Sequence, residues 1–157
     1  MKVRGIIDSD FINYKKISMF IISPYCSFKC DKESGCKVCQ NSEVVKLPII
    51  DIPIDELIKR YDMFLLSKAV VLGGLEPLDS DDTHAFISAF RATHKDDIVI
   101  YTGYNKDEVV AKFRWIYDYP NIIIKYGRFI PNSKHRYDEV LGVELASDNQ
   151  YAEHIGV

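Results

Sequence analysis

Four short apolar runs, each closed by proline or glycine, constrain this chain most. They are Ile17 to Ser23, Ala69 to Leu72, Ile98 to Thr102 and Asn121 to Tyr126. A short, nearly continuous hydrophobic run is the signature of a strand buried on both faces, as in a parallel sheet. Between the runs the spacing becomes helical. Ile54, Leu57, Ile58, Tyr61, Phe64 and Leu65 follow three- and four-residue steps, with Pro53 in the first turn. Ser80 to Asp82 can cap a helix running to about His94, with Ala85, Phe86, Ala89 and Phe90 on one face. Asn105 caps a third, facing Val109, Val110, Phe113 and Ile116 inward. Strand and helix in alternation imply right-handed βαβ units and an α/β fold. A complete eight-stranded barrel takes about 250 residues, and this chain has 157. The expectation is an incomplete (partial) β/α barrel of parallel strands, in a single domain over residues 1–157. Residues 1–16 read as mixed and polar, with Phe11, Ile12 and Tyr14 as packing anchors. After Phe129 the helical period is lost, leaving loops and one edge strand at Val140 to Leu145.

All four cysteines, Cys26, Cys30, Cys36 and Cys39, fall within fourteen residues that begin just after the first strand. Thiolates this close in sequence can converge on one soft metal centre if the loop between them can wrap. Gly35 and the polar residues 31–34 allow that. The spacing is C-x3-C-x5-C-x2-C. A structural zinc site pairs two knuckles across a longer gap. A closed four-cysteine iron–sulfur carrier fits poorly with a large α/β body. Free buried thiols do not suit a loop carrying Asp31, Lys32, Glu33 and Lys37. A further reading, beside these, is a [4Fe–4S] cluster held by three cysteines, whose open iron can take a small chelating ligand.

The ends of the next three strands carry Gly73-Gly-Leu-Glu-Pro77, Tyr101-Thr-Gly-Tyr104 and Tyr126-Gly-Arg-Phe129. Glycines let a ligand approach the backbone, and carbonyls or Glu76 can accept hydrogen bonds from an ammonium group. Arg128 can bind a carboxylate. In parallel sheets the carboxyl edge is where sites are built, so the metal loop and these turns describe one pocket. His84, His94, His135 and His154 do not pair at metal spacing and read as surface residues.

A net charge of −3, with no basic run, gives no reason to expect nucleic acid as partner. No apolar run approaches the ~18 residues of a membrane helix, and no secretory signal is evident. The expected compartment is the cytoplasm, where clustered thiols read as metal ligands rather than disulfides.

Taken in order, these motifs resemble the radical S-adenosylmethionine superfamily, and within it the short anaerobic ribonucleotide reductase activating proteins. The resemblance rests on Cys39-Gln-Asn41, Gly73 to Pro77, Tyr101 to Tyr104, Gly127-Arg-Phe-Ile130 and Ser147-Asp-Asn-Gln150, and spans most of the chain. It departs from the family's C-x3-C-x2-C pattern, because position 33 is Glu. It implies Cys26, Cys30 and Cys39 as cluster ligands, since the family's third cysteine is commonly followed by x-Asn. The rival set is Cys26, Cys36 and Cys39. It also implies that Gly73, Gly74 and Glu76 bind the methionine ammonium of S-adenosylmethionine, with Leu75 inserted into the family's Gly-Gly-Glu-Pro. Tyr104 is then expected to line the adenosyl end, and Ser147 to Gln150 to border the site.

The implied chemistry is reductive cleavage of S-adenosylmethionine to a 5′-deoxyadenosyl radical, which takes a hydrogen atom from a backbone glycine. The implied partners are a glycyl radical enzyme, an anaerobic ribonucleoside-triphosphate reductase, and a reductant of the flavodoxin or ferredoxin type. Two alternatives differ in class: a radical enzyme acting on a small molecule, and a non-enzymatic module whose four thiolates hold zinc or a closed cluster.

Overall fold

The computed structural model describes residues 1–156. In chain order it runs β1 (Lys2–Val3), β2 (Gly5–Asp10), β3 (Ser18–Ile22), α1 (Lys29–Ser34), β4 (Ile50–Asp51) and α2 (Ile54–Met63). It continues with β5 (Ala69–Gly73), α3 (Asp82–Thr93), β6 (Asp97–Tyr101), α4 (Lys106–Lys112) and β7 (Ile122–Tyr126). Three strands close it: β8 (Arg136–Asp138), β9 (Val143–Leu145) and β10 (Tyr151–Ile155). The four apolar runs become β3, β5, β6 and β7, which lie side by side and parallel in that order. The register sets Met19 beside Val70, Val70 beside Ile98, and Ile98 beside Ile122. All four are buried, and they belong to the core formed with Leu57, Phe86, Ile87 and Phe90 of α2 and α3. Burying a side chain of this size contributes roughly 1.5–3 kcal/mol. The next ladder, Phe20, Val71, Val99 and Ile123, faces the other way, against Tyr14, Leu141 and Leu145. The sheet therefore carries its helical core on one face and non-helical chain on the other.

The expectation of parallel strands alone needs correction. The central sheet has six strands, ordered β10-β7-β6-β5-β3-β2, and both edges are antiparallel. β2 lies in the segment read as polar, and β10 in the segment read as loop. Residues of edge strands are half-exposed and alternate in polarity, so they leave no apolar run to detect. The edge strand expected at Val140 to Leu145 shortens to β9, which pairs only with β8. Of the three proposed anchors Tyr14 is buried, whereas Phe11 and Ile12 are exposed.

The helical spacings also shift at their edges. α2 stops at Met63, leaving Leu65 exposed. α3 buries Ile87 rather than Ala85. α4 ends at Lys112, and Ile116 is buried from a following turn of 3-10 helix (Arg114–Asp118). His94 is not simply a surface residue, because it stacks on Phe90 at 4.5 Å and pairs with Asp62 at 2.7 Å. Among the described residues no helix is long and apolar enough to cross a membrane.

Candidate metal and cofactor site

Parallel strands bring their carboxyl ends to one edge, and a cavity of about 400 Å³ opens there. The cysteine loop forms one wall. Its two ends are drawn together by Arg4, whose Nε donates to the Pro24 carbonyl (2.8 Å) and whose Nη1 donates to the Val45 carbonyl (2.7 Å) and to that of Leu47. Nothing in the sequence pattern marked Arg4 for this work. Inside the loop, Lys29 to Ser34 make one short helical stretch, ended by Gly35 at φ 72°. That left-handed conformation suits glycine. The Asp31 carboxylate then accepts from the backbone N–H groups of Val38 and Cys39, both at 2.8 Å. The extra residues between Cys30 and Cys39 are thus folded back on themselves.

This fold-back decides which thiols share the cavity. Cys26, Cys30 and Cys39 line it, and Cys36 is exposed outside it. Phe28 adopts a left-handed conformation (φ 52°) that is uncommon for a bulky residue, and its N–H points at the Cys26 sulfur (3.3 Å). Burial pushes the Cys26 thiol up to about 12, partly opposed by that N–H, with Cys39 among the neighbours raising it further. Burial raises the Cys39 thiol too, and Cys30 adds to the rise. At Cys26 and Cys39 the neutral thiol is therefore favoured unless a cation compensates the charge.

Among the described residues, no three Cys, His, Asp or Glu side chains converge as the ligands of a single ion would. An iron–sulfur cube does not require that convergence, because each thiolate holds a different iron. Three soft donors on one wall, with the fourth turned away, fit a cluster with one open corner better than a closed four-thiolate site.

The opposite wall comes from the strand-end turns. Gly74 has φ 79°, and a Cβ there would stand 2.8 Å from Ile22 Cγ2. Backbone thus reaches the cavity where any side chain would collide. Glu76 also lines it, but its carboxylate is occupied. Oε1 accepts from Leu78 N (3.1 Å) and Thr102 Oγ1 (2.8 Å), and Oε2 accepts from Gly103 N (2.8 Å). Burial pushes its pKa up to about 7, against the pull of those donors. Glu76 therefore ties the β5 turn to the β6 turn, and its own N–H donates to the Tyr25 carbonyl at the start of the cysteine loop (2.9 Å).

Gly73 and Tyr104 stand behind the wall rather than in it. The Gly73 carbonyl accepts from Ser23 N (2.8 Å). The Tyr104 hydroxyl donates to Asp79 Oδ1 (2.7 Å), and its ring carries the Lys29 ammonium 3.4 Å from the centroid. Asp79 Oδ2 in turn accepts from Ser27 N (2.8 Å), again holding the cysteine loop.

Two further contributors come from later in the chain. Of Ser147 to Gln150, Gln150 lines the cavity and donates to the Gly127 carbonyl (3.1 Å). Lys125, buried at the end of β7, also lines the cavity. Its ammonium has the Gly127 carbonyl as acceptor (3.2 Å), and burial pushes its pKa down to about 8. Lys125 was missed among the isoleucines of its strand, although a charge in an otherwise apolar run was a legible signal. Arg128 does find carboxylates, and they belong to this chain: Glu108 and Glu33. No known protein family, curated protein or solved structure matches the chain.

Proposed function

We propose that this chain is a radical S-adenosylmethionine enzyme of the glycyl radical activating kind. The observation that carries the reading is the sorting of the thiols: Cys26, Cys30 and Cys39 on one cavity wall, Cys36 outside. The strand order adds support. Sequential parallel strands with their helical core on one face, here edged by antiparallel β2 and β10, are compatible with an open arc of a β/α barrel. Cys26, Cys30 and Cys39 would hold the cluster, which, when bound and reduced, would supply the one electron that splits S-adenosylmethionine into methionine and a 5′-deoxyadenosyl radical.

The chain's own residues bind and orient. Gly74 offers backbone to the methionine ammonium where a side chain would collide. Lys125 places a cation in the cavity, suited to the methionine carboxylate. Glu76 acts through the turns it joins, as a positioning residue. The protein's contribution is orientation and exclusion of water, while the cofactor carries the bond-breaking. An open arc leaves room for a macromolecular substrate, and a backbone glycine of an anaerobic ribonucleoside-triphosphate reductase is the assigned hydrogen donor.

The test is anaerobic reconstitution with iron and sulfide, followed by dithionite and S-adenosylmethionine. Methionine and 5′-deoxyadenosine should appear, and a co-incubated reductase should gain a glycyl electron paramagnetic resonance signal. Cleavage without that signal would support a small-molecule substrate. A colourless protein that binds only zinc would overturn the assignment.

A further inference from the structure

The stretch from Cys30 to Cys39 is exposed along most of its length, so something must hold Cys30 and Cys39 in register. Asp31 ties the stretch to itself. It does not tie it to the sheet. Arg128 does. Its side chain is only 9% exposed, and its planar guanidinium reaches three elements. Nη1 and Nη2 each meet a Glu108 oxygen at 2.8 Å. Glu108 is itself fixed, because it accepts from Asn105 N (2.8 Å) in the capping box of α4. Nη1 also donates to the Gly103 carbonyl at the end of β6 (3.4 Å). On its third side, Nε stands 2.8 Å from Glu33 Oε1, off the axis of its N–H, so this is a contact of charges rather than an aligned hydrogen bond. Glu33 lies on α1, one turn after Cys30. A guanidinium can serve two carboxylates at once because its five N–H groups lie in a rigid fork, whereas an ammonium is a single point charge.

We propose that Arg128 is a positioning residue for the metal loop: through Glu33 it fastens α1, and with it Cys30, to the ends of β6 and α4. This rests on the cluster reading for its purpose, but not for its test. Glu33 is 61% exposed, so the pair is weak and Glu33→Gln should leave the fold intact.

The experiment measures peptide-level hydrogen exchange of the full chain before reconstitution, then iron loss to a chelator afterwards. Glu33→Gln and Arg128→Lys are compared with Lys59→Gln, which breaks an exposed pair with Asp55 on α2. With exposed ion pairs contributing roughly 0.2–1 kcal/mol, exchange over residues 30–39 should quicken roughly 1.4- to five-fold in Glu33→Gln, and at least as much in Arg128→Lys, which also weakens the contact with Glu108. Iron should be lost faster by a similar factor, and in Glu33→Gln exchange in β5 and β6 should stay as in the parent. The double variant should do no more than Arg128→Lys alone, and Lys59→Gln should do nothing. Unchanged exchange over residues 30–39, or additive effects in the double variant, would overturn the proposal. A parent that binds no iron yet shows the exchange effect would overturn the cluster reading and leave the Arg128 anchor supported.

Discussion

Gly74→Ala separates two contributions that the structure places at one atom. The first is conformational. Gly74 sits at φ 79°, and holding an L-residue in that region costs about 1–2 kcal/mol. The second is steric. The new Cβ would lie 2.8 Å from Ile22 Cγ2, with Ile22 Cβ and Cα at 3.5 and 3.6 Å. Only the first contact is too close, and overpacking of this kind costs about 1–3 kcal/mol. Loss of backbone freedom in the unfolded chain returns about 0.4–1 kcal/mol. The net expectation is a destabilisation of about 1–5 kcal/mol, by combining these ranges. Urea denaturation of Gly74→Ala, Ile22→Ala and the double variant forms a cycle. Removing Cγ2 abolishes the clash but not the dihedral cost, so the double variant should be more stable than the sum of the singles implies, by about 1–3 kcal/mol. A neutral Gly74→Ala, or strict additivity in the cycle, would refute the claim that backbone approaches the cavity because no side chain fits.

Two further changes address the cavity and its loop. Lys125 has a pKa lowered to about 8 by burial, so folding at neutral pH keeps a charge in poor solvent. The cost is fully present below the folded pKa and vanishes above the unfolded one, near 10.4. Lys125→Met should therefore raise stability by about 1–3 kcal/mol at pH 7, and the gain should fade between pH 8 and 10.5. The Gly127 carbonyl keeps Gln150 as donor. The same variant should bind S-adenosylmethionine at least about tenfold more weakly, as expected for a lost charge-assisted contact. Unchanged stability at pH 7, measured by urea denaturation, would contradict the assignment. Asp31→Ala leaves the N–H groups of Val38 and Cys39 without their acceptor. Because the loop is half-exposed, global stability should fall by no more than about 1 kcal/mol. Iron retained after desalting should fall several-fold, and a variant that holds iron like the parent would argue against the fold-back.

Much of the central sheet was legible because β3, β5, β6 and β7 are buried along most of their length and are therefore largely apolar. The edges were not. In β10, Ala152 and Ile155 are buried, while Glu153 pairs outward with Lys106. Such mixed segments resemble loops until their partner strand is known. The gathering of the cysteines was visible in their spacing, and the family resemblance favoured Cys30 over Cys36, but the reason Cys30 lines the cavity and Cys36 does not was not legible. It turns on one left-handed glycine and one carboxylate bridging two backbone amides, which are details of conformation rather than composition. Glu76 was read as a ligand contact because it ends a glycine turn. Its occupied oxygens depend on Thr102 and Gly103, contributed by a different strand end. Arg128 with Glu33 joins residues far apart in sequence, which no local pattern could bring together.

Iron retention by the four single Cys→Ala variants tests the central claim most directly. The chains would be reconstituted anaerobically, their iron and sulfide counted, and spectra recorded with and without S-adenosylmethionine. The parent and Cys36→Ala should each hold about four irons with a signal that S-adenosylmethionine alters, as a cube with one open corner would. Cys26→Ala, Cys30→Ala and Cys39→Ala should not. If Cys36→Ala loses the cluster while Cys30→Ala keeps it, or if all four thiols prove indispensable to a single zinc ion, the account is contradicted.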